Sequence, residues 1–156
     1  MPALEWDGIV MVQSYSILRA VGMEYGYYPT DAIEMWICDS TVDACYDIFA
    51  YIAKCFFSPS EEGKEAAFKD LLENELPFFL NAMNKRLLGK VHFTGKLSIA
   101  DFAFGAILSQ SVYNKKSPHM DMFQKVVKNY PNVEKFWRNF EAENAKHLQS
   151  RPDSFF

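Results

Sequence analysis

The chain has 156 residues, 49% hydrophobic, 23% charged and 16% aromatic, with a formal net charge of −4. That is apolar mass for one domain with a sizeable core, or one domain plus a small appendage. An acidic balance whose longest basic run is Lys115–Lys116 speaks against nucleic acid or an anionic membrane surface as partner.

The opening predicts a hairpin: "ALEW" and "IVMV" are short apolar runs joined by Asp7–Gly8, a dipeptide favoured in the tight type I′ turn. A helix follows, with Ser14 as its N-cap and Ile17, Leu18 and Val21 on one side, stopping near Gly22–Gly26. "GYYPT" reads as a linker. From Asp31 to Phe57 the residues Ile33, Ile37, Ala44, Ile48, Ile52 and Cys55 recur at helical spacing. After the loop "SPSEEG", a second long helix is predicted from Glu61 to Leu88, kinked at Pro77. "GKVHFTGK" is a loop and "LSIADFAFGAILSQSV" an almost wholly apolar helix. Two shorter helices, Met120–Lys128 and Val133–His147, close the chain around "NYPN". The organisation is mostly α: a hairpin-plus-helix unit over residues 1–27, a linker, then a bundle of about five helices over residues 31–156. No stretch is long and apolar enough to span a membrane, and "MPALEWDG" does not read as a signal peptide.

Four groups of residues carry the chemical questions. Gln13 and Ser14 stand where the strand ends and the helix begins. A helix N-terminus exposes unpaired N–H groups and partial positive charge. An amide and a hydroxyl there make a compact seat for a carboxylate, or simply a capped helix with Gln13 facing water. Asp39, Asp43 and Asp47 lie at i, i+4, i+8 and form one acidic stripe. Like charges so placed repel, so the stripe is either a solvated face or the site of a cationic partner. Ser98 and Asp101 have the spacing of a capping box at a buried helix start, a structural role. Cys38, Cys45 and Cys55 lack CxxC or CxxH spacing, and His92, His119 and His147 have no acidic or cysteine neighbour at ligand spacing. No disulfide framework, metal site or catalytic triad is expected from them; they read as buried thiols in a reducing compartment.

In order and spacing these pieces resemble the cytosolic glutathione transferases of the sigma type, with related pi and alpha forms. "MPALEWDG" is similar to the segment holding that family's cis-proline and the following hairpin. "VQSYSILRAVGMEYG" is similar to its glutathione-carboxylate motif, "LSIADFAFGAIL" to the capping box and buried central helix of its all-α domain. "YPNVEKFWRNF" and "RPDSFF" are similar to its C-terminal helix and tail. The implied fold is a partial thioredoxin-like hairpin plus helix followed by an all-helical C-terminal bundle. The implied ligand is glutathione, as substrate or bound peptide, with no metal. Gln13 and Ser14 match the pair that holds the γ-glutamyl carboxylate, and Pro2 matches the proline framing the cysteinyl part. Asp47 matches the acid that reaches across a dimer to the γ-glutamyl amine of the neighbouring subunit's glutathione. Ser98 and Asp101 match the structural capping box. Arg19 matches a common basic position with no ligand role assigned.

The chain departs from the family pattern at its start. The first strand, first helix and second strand have no counterpart, nor does the tyrosine, serine or cysteine that stabilises the glutathione thiolate; none of the eight tyrosines can be assigned that role. One expectation is a glutathione-binding, catalytically impaired subunit whose incomplete sheet is covered by a protein partner or a second copy, as part of a larger assembly. The alternative is an active transferase acting on small hydrophobic electrophiles, its catalytic segment lying outside this sequence. Its electrophile pocket would draw on the regions Asp39–Phe57 and Ser109–Tyr113. A third reading is a helical domain unrelated to glutathione. An intracellular, reducing compartment is implied, the cytoplasm first and an organelle as the other case.

Overall fold

The computed structural model describes residues 2–152. Strands β1 (Ala3–Trp6) and β2 (Ile9–Val12) pair antiparallel, with Ala3 opposite Val12 and Trp6 opposite Ile9. Asp7 and Gly8 both take positive φ, 49° and 76°, as a type I′ turn requires. Helix α1 (Ser14–Glu24) follows β2 almost directly. A short linker then leads to α2 (Ala32–Phe57), whose cap Asp31 accepts from the Ile33 and Glu34 N–H groups at 3.0 and 3.1 Å.

The second predicted long helix is α3 (Glu61–Asp70) and α4 (Leu76–Arg86), joined by a π-helical turn over Leu71–Glu75. Pro77 has no N–H to give. The chain meets it with one wider turn just upstream, where the Leu76 N–H reaches back five residues to Leu71. The expected kink thus takes the form of a π bulge. Helix α5 (Ile99–Ile107) likewise ends in a π turn, Leu108–Val112, before α6 (Met120–Val127), α7 (Pro131–Glu143) and α8 (Ala145–Ser150). The last two replace the single predicted helix Val133–His147. Asn144 interrupts it: its backbone leaves the helix at φ −108°, ψ 15°, and its side-chain amide adds a second donor, at 2.9 Å, to the Phe140 carbonyl that already accepts the Asn144 N–H.

The core lies between α2, α5 and the helices around them. The buried face of α2 carries Cys38, Thr41, Val42, Cys45, Ile48, Ile52 and Cys55, so all three cysteines pack inside. Ile33, assigned to that face by periodicity, is 67% exposed; at about 100° per residue it lies well off the centre of the buried face. Helix α5 is almost entirely buried. Phe104 on it meets Phe93 and Phe136 with ring centroids 5.6 and 5.1 Å apart, within the range of favourable aromatic pairs. Among the described residues no helix is long and apolar enough to cross a membrane.

Candidate functional site

Strand β2 passes into α1 through a single residue. Gln13 stands at φ 74°, ψ 104°, a left-handed backbone that a non-glycine residue adopts at a cost on the order of 1 kcal/mol. Gln13 and Ser14, at this junction, are both exposed. Gln13, not Ser14, is the N-cap residue; Ser14 is the first residue of the helix, and no side chain caps the end. The predicted Ser14 cap is therefore corrected: with Gln13 turned to positive φ, the serine already lies inside the helix. The first intrahelical bond runs from the Ile17 N–H to the Gln13 carbonyl, 2.9 Å. The N–H groups before it, the Gln13 amide and the Ser14 hydroxyl form one open donor cluster at the positive end of α1. The register of the hairpin, with Ala3 opposite Val12, brings exposed Pro2 to the same end as Gln13. The Met1–Pro2 bond, where a cis peptide was expected, lies outside the described residues, as does most of the "RPDSFF" tail.

What holds α1 is the helical bundle. Arg19 Nε lies 2.7 Å from Asp39 and Nη2 lies 2.5 Å from Asp43, while the Tyr28 hydroxyl donates to the other Asp39 oxygen at 2.6 Å. Burial lowers the Arg19 pKa, but its bonds to the two carboxylates outweigh this and leave it raised. Burial, then the bond to Asp39, pushes Tyr28 up to about 12. Two members of the acidic stripe thus find their cation inside the chain, and an outside partner is not needed for them. Asp47 is different: it is exposed and makes no hydrogen bond or ion pair among the described residues. Its neighbour Tyr46 meets Tyr15 edge-on, centroids 5.4 Å apart, at the N-terminal end of α1. At the other end, buried Gly22 lies against Ile99, where a Cβ would clash. The Ile99 N–H donates to the Tyr27 carbonyl at 2.9 Å.

Ser98 and Asp101 form a reciprocal capping box at α5. The fully buried Asp101 carboxylate accepts from the Ser98 N–H and hydroxyl, both at 2.8 Å, and from the Phe93 N–H at 3.2 Å. Burial raises its pKa against the lowering effect of these bonds. His92 sits between two carboxylates, Nδ1 3.4 Å from Asp101 and Nε2 3.5 Å from Glu143. His119 packs on Phe68 and His147 lies on α8, lining the cavity beside α1. Among the described residues no group of three or more His, Cys, Asp or Glu could hold a metal ion.

Of the regions expected to line an electrophile pocket, the space directly between α2 and the turn after α5, beside Phe49, Ile52 and Ser111, is only about 20 Å³, whereas Ser109 and Tyr113 border a cavity of about 470 Å³ and Cys55 and Phe56 one of about 620 Å³. A mainly apolar cavity of about 420 Å³, also bordered by Ser109, opens between the second half of α1 and the face formed by α5, α7 and α8. Sequence reading named only Ser109 among the walls of this cavity and missed the role of Arg19. The signal for Arg19 was present in its match to a basic family position and in the two unpaired acids four residues apart.

A family model described as Glutathione S-transferase, C-terminal domain, matches residues 46–151. The chain is 29% identical over 131 residues to hematopoietic prostaglandin D synthase of Gallus gallus, covering 81% of this chain and 63% of that protein. It is 32% identical over 146 residues to glutathione S-transferase A of Cavia porcellus, covering 87% and 66%. The solved structure of rat hPGDS complexed with a quinoline matches 100% of this chain with 75% of its own, at a TM-score of 0.85 and 21% identity, a likeness of fold. The chain spans roughly two thirds of the length of these two curated relatives, 63% and 66%.

Proposed function

The chain belongs to the glutathione S-transferase family, and on that premise we propose that it binds glutathione at the start of α1. Gln13 and Ser14, with the open N–H groups of the first turn, receive the γ-glutamyl carboxylate; Pro2 frames the cysteinyl part. Asp47, free of any partner among the described residues, meets the γ-glutamyl amine of glutathione held by a second copy, so the working form is a homodimer or a complex with a related partner. Residues 1–27 act as the glutathione-binding half and residues 31–156 as the helical domain that supports it. The reading places the protein in the cytoplasm. The observation that carries it is the exposed, uncapped end of α1, held open by Gln13 at φ 74°. A carboxylate there gains charge-assisted bonds with no competing side chain.

In this proposal glutathione is held rather than conjugated. Conjugation needs a group that stabilises the thiolate. Burial raises the pKa of Tyr15, Tyr28 and Tyr113, which favours their neutral forms and supplies no activated phenol. The second reading, an active transferase toward small hydrophobic electrophiles with its thiolate-stabilising segment outside this sequence, rests on the relatives' names. Calorimetric titration with reduced glutathione, combined with a conjugation assay on an aromatic halide, separates the two. We expect weak saturable binding, lost in Ser14→Ala, with no turnover. Equal binding by Ser14→Ala overturns the seat; turnover by the pure chain overturns the impaired reading.

A further inference from the structure

The cavity of about 620 Å³ lies at the C-terminal end of α2, walled by that end, by α3 with its π turn and by the start of α6. Every residue lining it falls between Cys55 and Met122. Cys55 is nine residues beyond Tyr46, where α2 meets the start of α1, or about 14 Å along the helix. Phe56 is nine residues from Asp47, which at about 100° per residue sets it on the opposite side of α2. A second copy that meets Asp47 therefore leaves this cavity open.

Three aromatic rings form a wall that is already assembled. Phe56 and Phe68 meet edge-on with centroids 5.5 Å apart, and the His119 ring lies 4.4 Å from Phe68 and 5.9 Å from Phe56. Leu72 and Met122, the latter 43% exposed, extend the apolar surface. An acidic stretch runs along the edge. Between Glu61 and Glu75 stand six acids and two lysines, a net −4 that equals the charge of the whole chain. Lys64 is taken up by Glu61 at 2.6 Å. Glu65 and Glu73, both exposed at the cavity, have no ion pair or hydrogen bond among the described residues, and Lys69 between them pairs with neither. The two carboxylates are eight residues apart, roughly 12 Å. One small ammonium cannot serve both, whereas basic side chains spaced along a helix can. An apolar wall flanked by such spaced charge is complementary to a helix with an apolar face and a basic flank.

We propose that this groove docks a basic amphipathic helix of a partner protein, its apolar side chains on the Phe56–Phe68–His119 rings and its lysines or arginines along Glu65 and Glu73.

Fluorescence anisotropy on the full chain with a labelled leucine–lysine amphipathic helix of about 18 residues, five turns, tests it. Saturable one-to-one binding is expected. The same residues shuffled so that no apolar face forms bind at least about tenfold more weakly, and a leucine–glutamate helix does not bind. Glu65→Lys with Glu73→Lys weakens binding about tenfold, and added salt narrows that gap. Glu5→Lys with Glu34→Lys, the same change of charge on β1 and on the first turn of α2, leaves affinity within about twofold. Met122→Asn, at an exposed position, weakens binding about fivefold without touching the charge. Far-UV circular dichroism checks that each variant is folded. No saturable binding, equal binding of the shuffled peptide, an equal loss from both charge reversals, or unchanged binding by Met122→Asn overturns the proposal. Binding of 1-naphthylmethylamine at this site without binding of the helix assigns the cavity to a small amine, and also overturns it.

Discussion

Asp101→Ala tests the polar anchor on which the start of α5 depends. The carboxylate is fully buried and serves three donors, the Phe93 N–H and the Ser98 N–H and hydroxyl. Truncation leaves two buried backbone N–H groups without an acceptor, each costing about 1–2 kcal/mol; the hydroxyl can turn elsewhere. Relief of the buried charge offsets part of this. The net expectation is a loss of about 2–4 kcal/mol, read by urea denaturation with an unchanged slope. Asp101→Asn keeps one acceptor oxygen and is expected to lose less than half as much. The pH dependence follows from the raised pKa. Burial lifts Asp101 in the folded chain above its ordinary value of 3.8, so between the two values the folded state holds the proton more often than the unfolded one. The contribution of Asp101 is therefore fully present below the unfolded value and is lost as pH rises through the folded one. Wild-type stability minus that of Asp101→Asn should fall as pH rises through this window and then level off. A difference that instead grows with pH, or an Asp101→Ala variant within 0.5 kcal/mol of wild type (about the spread of neutral surface changes), refutes the reasoning.

Arg19→Lys should destabilise by about 1 kcal/mol, because a single ammonium cannot reproduce a fork spanning Asp39 and Asp43, and added salt should shrink the difference since Asp43 is mostly exposed; thermal melts at two ionic strengths read both. The three thiols should resist a disulfide-exchange reagent at pH 8 until denaturant is added. Burial raises Cys38 and Cys45 and pushes Cys55 up to about 11, and all three side chains are buried; rapid labelling of the native chain would contradict this. Gly22→Ala should cost about 1–3 kcal/mol by driving a methyl into Ile99, and Ile99→Val in the same chain should recover part of it, as a double-mutant cycle would report.

Much of the fold was legible because it depends on local signals. Asp7–Gly8 can serve only a narrow set of turns, Ser98 and Asp101 announce a helix start, and a run as apolar as residues 99–112 must be buried. Pattern alone could not see what depends on distant neighbours. Ile33 recurs at helical spacing yet sits at the edge of the buried face of α2 and is exposed. Pro77 kinks its helix through an upstream π turn whose position is set by packing. Asn144 splits the last helix where its backbone leaves the helical region. At the site, the residue types at the start of α1 were legible, yet the cap was misplaced by one residue because Gln13 takes a backbone that its type seldom adopts. The cavity beside Arg151 could be foreseen only at Ser109, since its walls come from α1, α5 and the α7–α8 pair, which are far apart in the sequence.

The structure also decides what the candidate seat depends on mechanically. A two-stranded hairpin is marginal by itself, and among the described residues β1 and β2 pair only with each other. If the hairpin alone held Gln13 and Ser14, the donor cluster would be disordered much of the time and binding would carry that ordering cost. The contacts point the other way. Helix α1 is joined to α2 through Arg19, Asp39 and Asp43, and its linker to α2 through Tyr28. Its far end is tied to α5 through Gly22, Tyr27 and Ile99. The open turn is thus the free tip of a helix clamped along its length by the bundle, and the strands mainly lead the chain into it. Weakening the clamp should therefore reduce glutathione affinity without touching any donor. In Arg19→Met the affinity should fall even though Gln13 and Ser14 are intact, whereas a hairpin variant such as Gly8→Ala, strained at φ 76°, should lower it less. If the hairpin change weakens binding more than loss of Arg19 does, the strands and not the helical bundle position the seat.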